Sequence, residues 1–271
     1  MAPTYFRREP GIDSPTAIAA PHFLIAMFAA WRTFPWPGLV RRVVSGSLCR
    51  RKSWKQVQSD MTEQLVNASD TNISEQKSRL RVAALAQRDA LPAAVRAAAA
   101  ESIASREFPL KIAPGAIVSG FSPMRTEVNP VPLLRKLADA GARLALPAIA
   151  GRGKPLVMRA WNFGDPLKPG QWGIREPLPD APEVAPDILI VPLAAFDRAG
   201  HRIGYGAGYY DVTINSLRAK KPAIAIGIAF AVQEIPKVPA TERDAVLDLV
   251  LTEREVIDLR GQHLHAHSLH R

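Results

Sequence analysis

Asp187-Ile188-Leu189-Ile190-Val191-Pro192-Leu193-Ala194-Ala195-Phe196 runs directly into Asp197-Arg198-Ala199-Gly200-His201-Arg202-Ile203-Gly204-Tyr205-Gly206-Ala207-Gly208-Tyr209-Tyr210-Asp211. The first half carries a continuous apolar run, Ile188 to Val191, as expected of a strand buried on both faces. The second half sets glycines at alternate positions 204, 206 and 208, and a helix over residues 208–219 follows. Glycine lets backbone N–H groups approach an anion closely, and a helix N-terminus adds a favourable dipole. Arg202 places a positive charge beside the loop. On residues alone the segment reads either as a phosphate cradle or as a tight structural turn. It is not a P-loop, because no Gly-Lys-Ser/Thr follows. It is a poor dinucleotide fingerprint, because position 209 is Tyr.

Outward from this unit the chain alternates short apolar runs with helical stretches. Residues 116–121, 143–149, 156–161, 223–230 and 247–252 read as strands. Residues 131–140 read as a helix opened by Pro130 and Pro132 and closed by Gly141. Upstream, Ser74 is placed to cap a helix over residues 75–89, with Leu80, Ala84, Leu85 and Ala86 apolar and Lys77, Arg79, Arg81 and Arg88 basic. After Pro92, residues 93–107 read as an alanine-rich second helix. Residues 164–186 form a Pro/Gly-rich loop long enough to suggest a lid or binding loop. The alternation predicts an α/β fold, a three-layer Rossmann-like mainly parallel sheet with helices on both faces.

Composition narrows the function classes. The chain has 271 residues, and of its net charge of +10 the first 60 residues hold +6, from nine bases and three acids. The body is only mildly basic and shows no aromatic-interleaved basic stripe, which argues against a polynucleotide and suits an anionic small molecule. Cys49 is the single cysteine, so no disulfide or thiolate zinc site can form within the chain, in keeping with a reducing, cytoplasmic setting. Four of six histidines (His263, His265, His267, His270) crowd the C-terminus, and only His201 lies in the body, so triad and zinc-water chemistry lack their residues. Residues 1–70 hold three of five tryptophans and most of the excess charge. The apolar run at residues 23–31 is too short for a bilayer. Three readings stand for this segment: an over-long frame that starts at Met61, an organelle-targeting or membrane-touching extension, or a regulatory arm.

Several further residues have two readings. Asp211 and Asp244 could converge on Mg²⁺, which takes one or two carboxylates plus phosphate oxygens. Equally, Asp211 could complement a helix dipole and Asp244 sit in a solvated turn. Glu127, after the first strand, is a ligand contact or a helix-entry acid. Trp172 in the long loop is a stacking surface for a flat ring or an anchor packed on the core.

Taken together, Lys77-x-x-Leu80-Arg81, Met124-x-x-Glu127, Trp172-Gly173-Ile174-x-Glu176-Pro177, the Val191 to Asp211 segment, Gly227-x-x-Phe230-x-x-Gln233 and Asp244 resemble the 5-formyltetrahydrofolate cyclo-ligase family in order and spacing. The resemblance implies ATP- and Mg²⁺-dependent conversion of 5-formyltetrahydrofolate to 5,10-methenyltetrahydrofolate through a phosphorylated formyl intermediate. It implies catalytic roles for Lys77, Arg81 and Arg202, and nucleotide contacts from residues Lys77, Ser78, Arg79, Leu80 and Arg81. Further nucleotide contacts would come from Arg202, Ile203, Gly204, Tyr205, Gly206, Ala207, Gly208, Tyr209 and Tyr210. Folate contacts would come from Ser122, Met124, Glu127, Trp172, Tyr205, Gly206, Gly208 and Tyr209, and metal contacts from Asp211 and Asp244. Some relatives carry bases at the positions of Tyr205 and Ala207, both uncharged here, which shifts phosphate binding toward backbone and Arg202. The expected organisation is an extension over residues 1–70, disordered or a mis-assigned start, a catalytic domain over 71–254 and a His-rich tail over 255–271. A monomer with no nucleic-acid or membrane partner for the catalytic domain is expected. The alternatives are a catalytically inactive folate- or nucleotide-binding protein on the same scaffold, and a basic membrane- or nucleic-acid-associated protein acting through residues 1–60.

Overall fold

Alternating apolar strands and amphipathic helices can bury themselves only by stacking in layers, and that is the arrangement of the computed structural model, which describes residues 54–261. Helix α1 (Trp54–Asp89) and helix α2 (Ala93–Ser105) lead into strand β1 (Ile117–Ser119), helix α3 (Val131–Asp139), and strands β2 (Arg143–Ala148) and β3 (Val157–Ala160). A hairpin of β4 (Leu167–Pro169) and β5 (Arg175–Pro177) flanks a short turn at Gln171–Gly173. Strand β6 (Ile188–Pro192), a second hairpin of β7 (Ala195–Phe196) and β8 (Arg202–Ile203), and helix α4 (Tyr209–Arg218) come next. Strands β9 (Ile224–Ile228), β10 (Leu249–Leu251) and β11 (Val256–Asp258) complete the chain.

The main sheet has the order β11-β10-β9-β6-β1-β2-β3, parallel except for its two outermost strands. Strand β6 is central and its alternation sorts the core. Ile188 and Ile190 join Ala99, Ile103, Leu133, Leu134 and Leu137 on the face covered by α2 and α3. Leu189 and Val191 join Ile214 of α4 on the other. The structure is thus a three-layer α/β fold with helices on both faces. From β1 the chain passes through α3 to β2 on one side, and from β6 it passes through α4 to β9 on the other. Adjacent strands whose connections diverge open a crevice at their carboxyl ends.

Four expectations change. Helix α1 starts at Trp54, with Ser74 in its interior, because no glycine or proline interrupts residues 54–89; the boundary expected at residue 70 falls within it. The loop at 164–186 contains the β4–β5 hairpin, whose three-residue strands are too short and proline-rich to announce themselves. Residues 187–196 divide into β6 and β7. The sheet also continues past residue 254, where β11 pairs Ile257 with Val250 and buries it. The readings made for residues 1–53, including Cys49, and for the four C-terminal histidines lie outside the described residues.

Leu189 is fully buried at the centre of the sheet. Leu189→Ala is expected to cost about 2–5 kcal/mol, from lost transfer energy plus a cavity. Urea unfolding should show a lower midpoint at unchanged slope. A shift equivalent to less than ~1 kcal/mol would contradict the central placement of β6.

Candidate active site

Asp197 and Gly200 shape the turn that delivers the glycine loop. The buried Asp197 accepts the amides of Ala199 and His201 on Oδ1, both at 3.0 Å, and of Val238 on Oδ2 at 2.8 Å. Gly200 has φ +87°, and a Cβ there would stand 2.8 Å from the Leu247 carbonyl oxygen, so no side chain fits. Strand β8 then carries Arg202 inward, where it is 5% exposed. Its guanidinium donates to the Ala245 carbonyl at 2.5 Å and to Asp211 Oδ1 at 2.8 Å. Asp211 Oδ1 also accepts the Ala245 amide at 3.0 Å, which brings Asp211 beside the residue following Asp244. Gln233 staples the corner from below, donating to the carbonyls of Leu193 and Ala194 at 2.9 Å each.

Between these fixed points the loop itself is left open. Gly206 (φ +100°) and Gly208 (φ +69°) occupy the left-handed region. Gly208 enters α4 without a side-chain cap, so the first amides of that helix have no intrahelical acceptor. The loop and the start of the helix border a cavity of about 770 Å³, lined here by Gly204–Gly208, Tyr209 and Tyr210, a size suited to a small-molecule site.

Helix α1 supplies one flank through a single stripe. Leu80 and Ala84 pack against Ala195, Ile203 and Val238. Lys77, Arg81 and Arg88 lie on the same side, four and seven residues apart. Lys77 Nζ lies 2.6 Å from both carboxylate oxygens of Asp244, in a pair only 16% and 17% exposed. Arg81 Nε donates to the Gly204 carbonyl at 2.7 Å, and its guanidinium lies 3.8 Å from where a Gly206 Cβ would stand. Burial lowers the Arg81 pKa. Burial also pushes the Asp244 carboxyl up, but the Lys77 hydrogen bond, the Thr241 amide, the Lys77 charge and the Thr241 hydroxyl outweigh it and hold it below its ordinary range.

The opposite wall follows β1. Glu127 Oε2 accepts the Met124 amide at 2.6 Å, and Oε1 is buried without a partner. Burial pushes this carboxyl above its ordinary range, against the opposing pull of nearby Tyr205, the Met124 amide and the Arg88 charge. The Tyr210 hydroxyl is likewise buried without a partner. Its pKa is raised by burial and by the Glu127 charge. Trp172 sits at φ +58°, ψ +20° and is 64% exposed, its ring 6.3 Å from that of Tyr209. A non-glycine residue there costs on the order of 1–3 kcal/mol, so the fold holds this indole out under strain.

All eight residues expected to meet folate line this one cavity: Ser122, Met124, Glu127, Trp172, Tyr205, Gly206, Gly208 and Tyr209. Arg202, Gly204, Ala207 and Tyr210 line it too, whereas Lys77 and Arg81 flank the loop. Ser78 and Arg79 do not reach it; both are exposed, and Arg79 pairs with Glu75 at 3.8 Å. Leu80 and Ile203 point their side chains into the core instead. The sequence reading missed Phe121, Pro147, Ile149, Arg152 and the buried Glu176 as lining residues. It also missed Arg88, 3% exposed, which donates to Tyr205 Oη at 2.6 Å and Thr126 Oγ1 at 3.0 Å. Its place on the Lys77–Arg81 stripe was the available signal. Among the described residues no group of three or more His, Cys, Asp or Glu gathers as a metal site. Two carboxylates that share one end of the sheet suffice for an ion completed by phosphate and water, although here each is paired with a base.

Residues 73–253 match the model of the 5-formyltetrahydrofolate cyclo-ligase family. A curated relative from Mycolicibacterium smegmatis, 5-formyltetrahydrofolate cyclo-ligase, is 35% identical over 193 residues, covering 68% of this chain and 97% of the relative. The protein of the same name from Escherichia coli is 33% identical over 147 residues, 51% of this chain and 79% of its own. The solved 5,10-methenyltetrahydrofolate synthetase of Aquifex aeolicus superposes with TM-score 0.56 at 28% identity, covering 68% of this chain and 93% of that one. The synthetase structure from Mycoplasma pneumoniae, at 20% identity and TM-score 0.52 over 65% of this chain and 98% of its own, shares the fold.

Glu127 gives a test by linkage. A carboxyl held above the ordinary 4.5 in the fold binds its proton more tightly folded than unfolded. Its stabilising contribution is full below the unfolded value and is lost as pH rises through the folded one. Glu127→Gln removes that titration. The stability of the variant relative to wild type should therefore rise with pH from about 4.5 upward, measured by urea unfolding at a series of pH values. A difference that stays flat across this window contradicts the burial of this carboxyl.

Proposed function

Since the chain belongs to the 5-formyltetrahydrofolate cyclo-ligase family, we propose that its cavity converts 5-formyltetrahydrofolate to 5,10-methenyltetrahydrofolate with ATP as co-substrate, releasing ADP and phosphate. The protein is an enzyme of folate one-carbon metabolism, a ligase. The observation that carries the proposal is the uncapped start of α4, which opens with its glycine loop into the same cavity as the two unpartnered polar atoms, Glu127 Oε1 and Tyr210 Oη. One set of groups suits phosphate; the other suits the hydrogen-bonding edge of a polar ring system.

The amides of Gly206–Gly208 and the first turn of α4 hold the β- and γ-phosphates. Arg81 closes over the loop from α1. Lys77 exchanges its carboxylate partner for phosphate oxygens as the nucleotide enters. Asp211 and Asp244 are the residues that would hold Mg²⁺. When bound, the ion would neutralise charge on the phosphates. Arg202 acts at one remove, fixing Asp211 and adding positive potential. This placement follows from its burial, since a buried guanidinium must stay paired. On the folate side Glu127 orients the pterin, while Trp172 and Tyr209 offer faces for stacking. The formyl oxygen then attacks the γ-phosphorus and ADP leaves. N10 attacks the activated formyl carbon, and phosphate departs with the former formyl oxygen as the ring closes. No side chain acts as a nucleophile; the site positions its reactants and neutralises charge.

The catalytic unit of this reading is the expected 71–254 domain extended to include β11. We place it in the cytoplasm as a monomer. Among the described residues no helix is long and apolar enough to cross a membrane.

The ultraviolet absorbance of the methenyl product should rise when 5-formyltetrahydrofolate, Mg²⁺ and ATP are mixed with the protein, and stay flat without ATP. No rise with all components present refutes the assignment. Asp211→Ala should lower turnover by about two to three orders of magnitude, the scale of losing one preorganised charge-stabilising group. Near-full turnover would remove Asp211 from the site.

A further inference from the structure

Tyr205 holds a position that neither half of the site explains alone. It lies in the glycine loop, between Gly204 and Gly206, and the residue remains 38% exposed. Its hydroxyl reaches inward to accept a hydrogen bond from Arg88 at 2.6 Å. Arg88 is anchored in turn by Thr126 at 3.0 Å and stands 3.5 Å from the Asp89 carboxylate. Thr126, the other acceptor of Arg88, immediately precedes Glu127, and Tyr205 and Glu127 line the same cavity. Arg88 thus donates to Tyr205 Oη and to Thr126 Oγ1 at once, one cation bridging two loops through charge-assisted bonds. A basic side chain at this position would face the Arg88 guanidinium with like charge and could accept nothing from it.

The bridge ties together three elements that serve different ligands. Arg88 belongs to α1, which also carries Lys77 and Arg81. Tyr205 belongs to the phosphate loop. Glu127 follows β1 on the folate side. We propose that Tyr205, tied through Arg88 to the segment of Thr126 and Glu127, is the positioning residue that makes nucleotide and folate binding interdependent. This rests on the cyclo-ligase reading and adds to it a coupling between the two substrates.

The coupling has a physical source. A glycine-rich loop loses more backbone freedom on ordering than any other kind. A triphosphate seated on the amides of Gly206–Gly208 fixes the loop, which fixes Tyr205 and, through Arg88 and Thr126, the segment that carries Glu127. Folate then binds without the ordering cost. In reverse, folate held by Glu127 fixes that segment and, through Thr126 and Arg88, Tyr205 and the loop that receives phosphate. Whichever ligand arrives first bears the cost for both, which is positive cooperativity without a change of fold. By linkage the two enhancements are equal.

Calorimetric titration of 5-formyltetrahydrofolate tests this, with and without saturating Mg²⁺ and an ATP analogue carrying an imido bridge between its β- and γ-phosphates. Wild type is expected to bind folate at least about fivefold more tightly with the analogue present, at the lower end of usual coupling. In Tyr205→Phe, which keeps the ring and loses the hydroxyl, the ratio should fall below about twofold whatever the affinity for either ligand alone. Thr126→Ala, which frees Arg88 from its second anchor, should reduce the ratio in the same direction. A wild-type ratio near one, or an unchanged ratio in Tyr205→Phe, overturns the inference while leaving the cyclo-ligase reading intact. Failure of wild type to bind or turn over folate at all strikes at that reading instead.

Discussion

The ion pair of Arg202 with Asp211 joins three segments that would otherwise be independent: the β7–β8 hairpin, the first turn of α4 and the approach to β10. A guanidinium this deeply buried is tolerated only with partners, and removing either member would strand a charge in the interior. The pair therefore fixes both ends of the glycine loop, while Arg81 and Arg88 hold it only at the Gly204 carbonyl and the Tyr205 hydroxyl. The loop borders the cavity because β8 and α4 are held together at its two ends. Lys77 with Asp244 closes the same region from α1, so two carboxylates come to one place, each neutralised by a base.

From that joint the rest of the site is assembled by topology. The strands β1 and β6 lie side by side and send their connections opposite ways, so loops from both reach one crevice. Phe121, Ser122 and Glu127 come from the first, Pro192 and the glycine loop from the second. The β4–β5 hairpin brings Trp172 across the opening. This division places charge-binding groups on one side and a largely apolar wall with two unsatisfied polar atoms on the other. It matches a reaction whose partners are a triphosphate and a flat heterocycle. Chemistry there needs no covalent intermediate with the protein, which accords with a body whose single histidine, His201, sits in the turn beside Asp197.

The parallel core was readable because β1, β2, β6, β9 and β10 are apolar runs whose neighbours are helical, and only a buried sheet uses such runs. Strands β4, β5, β7 and β8 were not, since two or three residues carry no period. Their existence depends on turns such as the one Asp197 and Gly200 build, visible only once the partners are in place. The start of α1 was misread because Ser74 looks like a cap, and a cap residue inside a helix differs from one at its end only by what precedes it. Among site residues, the glycines, Glu127 and Trp172 declared themselves through spacing and unusual context. Arg88 did not, because a base on a basic helix looks solvated until the partner tyrosine, over a hundred residues away in sequence, is seen to reach it. Ser78, Arg79, Leu80 and Ile203 show the converse: adjacency to a contact residue in sequence turns a side chain away from the site when the element is a helix or strand.

The whole site depends on the loop before α4 seating a triphosphate. A crystal structure of the protein with Mg²⁺, the imido-bridged ATP analogue and 5-formyltetrahydrofolate measures this directly. The expected result places the β- and γ-phosphate oxygens within about 3 Å of the amides at Gly206, Ala207, Gly208 and Tyr209, with Lys77 withdrawn from Asp244 and the metal between that residue and Asp211. Phosphates found elsewhere on the molecule, with both aspartates still paired to their bases, would contradict it.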